Sequence, residues 1–231
     1  MSNGAVRVKR DIGGATSEQV EGVSPSHPIV RVVDDDPALL RAVALLLRTA
    51  GLHVQVFQNA HALLGRLNEA PGCIVLDLRL PGVDGLAVQE AIARTREPLP
   101  IIFLTGRGDV RSSVQALKAG AVDFLTKPVR GHDLVAAVRR AIALDERTRV
   151  QRRDLRTLRA KYDTLTPRER EVFALVVGGF LNKEIAATLA TSERTVKAHR
   201  AHIMEKMAVR SVADLVRAAE RLGGRAGAQP T

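Results

Sequence analysis

Four short apolar runs, each closing on a reactive side chain, occur in order along the first 130 residues: Val32-Val33-Asp34-Asp35-Asp36, Ile74-Val75-Leu76-Asp77, Ile101-Ile102-Phe103-Leu104-Thr105-Gly106 and Phe124-Leu125-Thr126-Lys127-Pro128. An apolar run this short, bounded by turn residues, reads as a strand buried on both faces, as in parallel sheets. Ligands of open α/β sheets sit just beyond the carboxyl ends of such strands. The pattern therefore predicts a pocket at one sheet edge where several carboxylates meet a hydroxyl and an ammonium.

Helical periodicity fills the intervals. Asp36-Pro37 opens one helix and Gly51 closes it, with Leu39, Leu40, Val43, Leu46 and Leu47 on its apolar face. Further helices are predicted at 60–68, 85–94 and 110–119, and a fifth strand at 53–57. Strands alternating with helices of this length predict a doubly wound, five-stranded parallel α/β sheet with helices on both faces. From Asp133 to Tyr162 there is neither proline nor glycine, which predicts one long helix. Leu134, Val138 and Ala141, then Leu144, Leu155, Leu158 and Tyr162, recur at helical spacing, but Thr148 and Gln151 interrupt them. That pattern fits a coiled-coil seam or a solvated spacer. Thr166-Pro167-Arg168-Glu169 then combines a capping threonine, a first-turn proline and a capping-box glutamate. Gly178-Gly179 ends that helix, and helices follow at 182–189, at 193–207 after the cap Ser192, and from Ser211 to about 222. Four helices in so short a stretch predict a small all-α domain.

The organisation expected is thus a tail over 1–27, an α/β domain over 28–132, a linker helix over 133–163, an all-α domain over 164–224 and a second tail over 225–231. The chain of 231 residues carries a formal net charge of +10, and from Gln151 onward 16 Lys and Arg stand against 9 Asp and Glu. A basic excess that sits mainly in the C-terminal third favours a polyanionic partner, most simply nucleic acid. The single cysteine, Cys73, lies inside an apolar run and reads as a core thiol, which suits the cytoplasm. No run approaches the roughly 18 apolar residues of a membrane span, so no membrane partner is expected. The six histidines show no metal-ligand spacing.

Carboxylates crowded at one edge repel one another, and a hard divalent cation such as Mg²⁺ resolves the conflict and shields a carboxylate nucleophile from an approaching phosphoryl group. A plain salt-bridge cluster is the alternative. On these strand ends, residues 28 to about 130 resemble a response-regulator receiver domain, a flavodoxin-like fold. The resemblance implies that Asp77 accepts a phosphoryl group from a sensor histidine kinase. It implies that Asp34 and Asp35 hold Mg²⁺ together with Asp77 and the backbone carbonyl of Arg79, and that Lys127 contacts the phosphoryl group beside a cis Lys127-Pro128 bond. Thr105 and Phe124 would be the switch pair; Phe124 stands where many relatives have tyrosine, so the switch would work by ring burial alone. Arg79 and Arg107 would flank the path of the attacking water and slow loss of the phosphate.

A helix, a turn and a second basic helix fit helix-turn-helix DNA binding, with the second helix in a major groove. Leu165-Thr166-Pro167-Arg168-Glu169-Arg170-Glu171, Asn182-Lys183-Glu184-Ile185-Ala186, and Ser192 with Thr195-Val196-Lys197-Ala198-His199 resemble the LuxR-type output domain. The order of receiver, long helix and output domain resembles the FixJ/NarL group of transcription factors. Val196, Ile203 and Met207 share the buried face of the recognition helix, which leaves Arg194, Lys197, Ala198 and Ala201 toward double-stranded DNA. By the family pattern Lys183 and Thr195 contact phosphates, and Arg200 contacts phosphate or base. The chain then reads as a cytoplasmic, non-enzymatic two-component transcription factor that dimerises on phosphorylation, through the face formed by segment 110–119, the strand at Phe124 and the helix after it. A haloacid-dehalogenase-type hydrolase is the main rival. It places its nucleophile after the first strand with a second aspartate two residues on, whereas Asp34 and Asp35 are adjacent.

Overall fold

The computed structural model describes residues 27–106, 116 and 118–223. Its first half is a parallel sheet of β1 (Ile29–Val33), β2 (His53–Phe57), β3 (Gly72–Asp77), β6 (Ile101–Thr105) and β7 (Asp123–Thr126), in the spatial order β2-β1-β3-β6-β7. All four ladders are parallel. A small antiparallel pair, β4 (Arg79–Leu80) and β5 (Val83–Asp84), follows β3 directly. Every residue of β3 and β6 is buried, as strands covered on both faces require.

Helices α1 (Pro37–Thr49), α2 (Ala60–Leu64) and α3 (Gly85–Ala93) connect the strands. Side chains of α1 and of the long α4 (Gly131–Asp163) form one core with Val30, Val32, Val75, Ile102 and Leu104. The other face packs Val33, Ile74, Leu76 and Phe103 against Ala60 and Leu63 of α2 and Val88 and Ile92 of α3. The helix predicted over 60–68 ends at Leu64. Gly65 caps it, and the Asn68 carboxamide turns the chain by accepting the Ala70 N–H at 3.3 Å. Most of the helix predicted at 110–119 and the side chain of Arg107 lie outside the described residues.

The segment expected as a linker begins as part of the α/β domain. Leu134, Ala137, Val138, Ala141 and Ile142 of α4 are buried in its core, so the apolar positions that could have formed a coiled-coil seam are already covered. Leu144, Val150 and Leu155 are exposed further along, and Leu158 and Tyr162 then pack on the second core. This helix of 33 residues is about 50 Å long at 1.5 Å per residue and enters both cores.

The second core gathers α5 (Pro167–Val177), α6 (Asn182–Thr188), α7 (Glu193–Met207) and α8 (Val212–Arg221) around Val172, Phe173, Val176, Ile185, Val196, Ile203, Met207 and Leu215. The predicted capping box is formed: Glu169 N–H donates to Thr166 Oγ1 at 3.3 Å and Thr166 N–H donates to Glu169 Oε2 at 2.8 Å. The same carboxylate accepts Lys206 Nζ at 2.7 Å, which ties α5 to the end of α7.

Two predictions follow from these contacts. Gly72 has φ +138°, and a Cβ there would lie 1.9 Å from the Ile29 carbonyl oxygen. Gly72→Ala is therefore expected to destabilise the chain by about 3 kcal/mol or more, read as a lowered urea midpoint. The Lys206 ammonium and the Thr166 backbone N–H drive the Glu169 carboxyl down to about 2, from an ordinary 4.5. A depressed carboxyl stabilises fully above its ordinary value and loses that contribution as pH falls toward 2. Glu169→Gln should therefore flatten the acid limb of stability in this window. Tyr162, the only tyrosine in a chain without tryptophan, packs edge-on to Phe173 at 5.3 Å and reports that unfolding by fluorescence.

Candidate functional site

Because β1 and β3 are neighbours in parallel register, Asp34 just after β1 and Asp77 at the end of β3 emerge side by side. Asp34 is fully buried; its Oδ1 accepts the Asp36 N–H at 2.9 Å. Asp77 is buried too, and its Oδ1 accepts the Arg79 N–H at 3.1 Å. These bonds point the other oxygen of each carboxylate at Lys127, whose Nζ donates to Asp34 Oδ2 at 2.6 Å and to Asp77 Oδ2 at 2.8 Å. Lys127 stands one residue beyond β7. Its N–H donates to the Thr105 carbonyl at 2.7 Å, and the bond to Pro128 is cis.

Asp35 is exposed beside this pair, and one carboxylate oxygen from each of Asp34, Asp35 and Asp77 lies within 4.8 Å of the others. Burial pulls the Lys127 ammonium down, but its hydrogen bonds to Asp34 and Asp77 and their charges outweigh that, so its pKa stands above the ordinary lysine value. Three carboxylates around one ammonium leave a net negative pocket of oxygen donors. That is the donor chemistry of a hard divalent cation.

The hydroxyl of Thr105, at the end of β6, is buried and donates to the Gly106 carbonyl at 3.4 Å. Phe124 pairs in register with Phe103, and its ring is 38% exposed along a cleft shared with Thr126, Lys127, Pro128 and Asp133. The pocket therefore brings Asp34, Asp35, Asp77, Thr105 and Lys127 to one sheet edge, with the backbone of Arg79 beside Asp77 and Phe124 on the adjoining surface.

In the second domain, α6 and α7 are joined by a turn with Ala190 at φ 48°, a left-handed conformation for a non-glycine residue. Lys183 on α6 is exposed, as are Arg194, Thr195, Lys197, Ala198 and Ala201 on α7. The Ser192 hydroxyl caps α7 by accepting the Thr195 N–H at 3.1 Å, and the two hydroxyls lie 2.9 Å apart. Arg200 differs from the other basic residues. It is half-buried, and its Nη1 donates to Asn182 Oδ1 at 2.8 Å, so part of its guanidinium links α7 to the start of α6. This contact escaped the sequence reading, since nothing in an asparagine that begins one helix points to an arginine 18 residues later. Leu181, Asn182, Lys197 and Arg200 border one cleft on this face.

Comparison with known proteins agrees with both halves. Residues 30–139 match the response regulator receiver domain, and residues 163–219 match the bacterial regulatory proteins of the luxR family. The chain is 46% identical over 201 residues to the response regulator protein TmoT of Ectopseudomonas mendocina, covering 87% of this chain and 91% of that one. It is 38% identical over 195 residues to the transcriptional regulatory protein FixJ of Bradyrhizobium diazoefficiens, covering 84% and 95% respectively. Among solved structures, the response regulator StyR superposes with a TM-score of 0.74 at 39% identity, covering 85% of this chain and all of that one. Full-length FixJ from B. japonicum does so with 0.52 at 38%, covering 85% and 97%. A receiver domain implies a histidine kinase as partner, and a LuxR-type helix-turn-helix implies DNA. No helix among the described residues is long and apolar enough to cross a membrane. The chain belongs to the NarL/FixJ family of two-component response regulators, which are DNA-binding transcription factors and not enzymes.

Proposed function

We propose that this regulator is switched by phosphorylation of Asp77 in the cytoplasm and that the phosphorylated form pairs on DNA. The observation that carries the reading is the double hydrogen bond from Lys127 to Asp34 and Asp77, which holds an ammonium against a carboxylate that stands at a strand end and carries an exposed neighbour, Asp35. Asp34, Asp35, Asp77 and the Arg79 carbonyl would hold Mg²⁺. When bound, that ion supplies charge shielding for an incoming phosphoryl group. Lys127 then meets the phosphoryl oxygens from the position it already occupies, and the Thr105 hydroxyl turns toward them while the Phe124 ring moves inward. The switch is a shift between two receiver states, and its size is the difference in phosphoryl interaction energy between them. Dimerisation through the face that includes β7 and the start of α4 would place two output domains on two half-sites. Pairing would raise affinity through effective concentration.

Incubation with acetyl phosphate and Mg²⁺ should add one phosphoryl increment to the intact mass of the wild type and none to Asp77→Asn. An unshifted wild type would leave a kinase-specific acceptor or a phosphate-independent dimer module, and DNA binding by the untreated protein decides between those two.

In the output domain Lys183, Arg194, Thr195, Lys197, Ala198 and Ala201 form the DNA-facing set, and Arg200 reaches DNA with whatever part of its guanidinium Asn182 does not hold. Lys197→Ala should weaken binding to a cognate site by about 1–3 kcal/mol and relax specificity if Lys197 reads a guanine. Lys183→Ala should weaken cognate and random duplexes alike and lower the log-log salt slope by about 1. Titrations of both duplexes over a salt series separate the two behaviours.

A further inference from the structure

At the amino-terminal edge of the sheet, opposite the acidic pocket, lies a second charged cluster that the phosphorylation chemistry does not use. Arg31, in the middle of β1, is 1% exposed, and Asp145 of α4 is also 1% exposed. Arg31 Nη2 donates to Asn68 Oδ1 at 2.8 Å and to the Ala70 carbonyl at 3.4 Å, and Nη1 donates to the Ile29 carbonyl at 3.2 Å. Asp145 Oδ2 accepts the Gly72 N–H at 2.9 Å and Arg149 Nε at 2.7 Å. Arg149 reaches on to the carbonyls of Glu69 at 2.7 Å and Ala70 at 3.4 Å, so both arginines meet at Ala70. One and two turns further along α4, Arg152 Nη1 donates to the Pro98 carbonyl at 3.4 Å and Arg156 Nη1 donates to Glu97 Oε1 at 2.5 Å.

These contacts select particular strands. β1 carries Arg31 and leads to Asp34; β3 starts at Gly72 and ends at Asp77; β6 follows Glu97 and Pro98 and ends at Thr105. The helix that leads to the output domain thus holds the segments that enter β3 and β6, two of the four strands whose carboxyl ends build the pocket, and shares the Ala70 carbonyl with Arg31 of a third, β1. The grip is also incompletely satisfied. Arg31 Nε and Asp145 Oδ1 are buried and make no hydrogen bond among the described residues. A buried donor and acceptor left unpaired make this the least secure part of an otherwise apolar contact between α4 and the sheet. At its far end α4 is fixed to the output domain by Leu158 and Tyr162 in the second core, and Asp154 faces Arg221 of α8 at 3.7 Å. A small tilt of α4 about Asp145 therefore displaces the output domain as a body.

We propose that Asp145 and Arg149, seated on the 69–72 segment whose Ala70 carbonyl Arg31 also holds, are positioning residues of the switch. They form a joint that couples the pocket strands to the orientation of the long helix. The inference rests on the reading of Asp77 as the phosphoryl acceptor. Coupling is reciprocal: if occupancy of the pocket alters the joint, loosening the joint must alter affinity at the pocket by the same factor.

The test uses the full chain with beryllofluoride and Mg²⁺, a phosphoryl mimic for carboxylates, and follows amide hydrogen exchange and the beryllofluoride titration together. In the wild type the mimic should protect residues 34–36 and 77–79 and also change exchange over 144–157. In Arg149→Ala the pocket should still be protected, the response over 144–157 should vanish, and the apparent Kd should move by about 5-fold or more. Arg149→Lys keeps the charge and stem but not the forked contacts, and carries the test if the alanine variant unfolds. A wild type protected at the pocket but unchanged over 144–157 overturns the joint and leaves the phosphorylation reading standing. So does a variant that responds with wild-type affinity. A wild type not protected at the pocket overturns both.

Discussion

The receiver half of this protein is organised by one electrostatic constraint. Parallel register between β1 and β3 forces Asp34 and Asp77 to the same edge, and a single ammonium from the far side of β6 lies between them. Burial alone would lower the Lys127 pKa, and the two carboxylates alone would repel each other. Together they are joined by two short hydrogen bonds, which raise the Lys127 pKa above its ordinary value at a depth where unpaired charges are costly. The arrangement still leaves Asp35 exposed and the pocket net negative, so neutrality is not reached internally. A site built in this way responds to added charge of either sign, because both the cation and the phosphoryl group it is suited to meet would change the balance on Lys127.

Much of this was legible in the sequence, for a physical reason. Strands buried on both faces must be apolar throughout, so a charged residue at the end of such a run stands out, and Asp34, Asp77, Thr105 and Lys127 were located by that contrast alone. Capping chemistry is local as well: Asp36, Thr166, Ser192 and Ser211 each accept the backbone N–H their position calls for. What escaped was non-local. Arg31 interrupts the apolar pattern of β1 with no local signal for its role, because its partner Asn68 lies 37 residues away in a loop and Asp145 and Arg149 lie in a helix more than 100 residues on. The Arg200 contact to Asn182 was hidden in the same way. The long helix itself was legible, but its apolar positions left a seam for a second chain and a solvated spacer both open, whereas its first turns complete the receiver core and its last pack on the output core.

Continuity of that helix has consequences for how the halves communicate. A flexible tether would isolate the two cores, and pairing of domains would then be governed by tether length alone. Here one unbroken helix is anchored at both ends, with Leu134 buried in the first core and the half-buried Leu158 and Tyr162 packed on the second. Exposed Val150 and Leu155 between them show where the packing stops. Rotations at the receiver are therefore carried along the helix axis, and the lever is long compared with the sub-ångström to ångström shifts that packed interfaces ordinarily make.

The output domain places a further limit on the mechanism. Its reader is already assembled: α7 is capped by Ser192, pinned to α6 by Arg200 and Asn182, and pinned to α5 by Lys206 and Glu169 around a closed apolar core. Nothing in the helix-turn-helix remains to be folded or reoriented internally before it can lie in a groove. On the proposed function, control by phosphorylation acts on what surrounds this unit, its accessibility and its distance from a second copy. Either can be changed by a state difference of a few times 1.4 kcal/mol, each such increment being tenfold in population. A regulator of this design spends its switching energy on the placement of a finished reader, which explains why the charged contacts that are incompletely satisfied lie under the helix and those of the reader are closed.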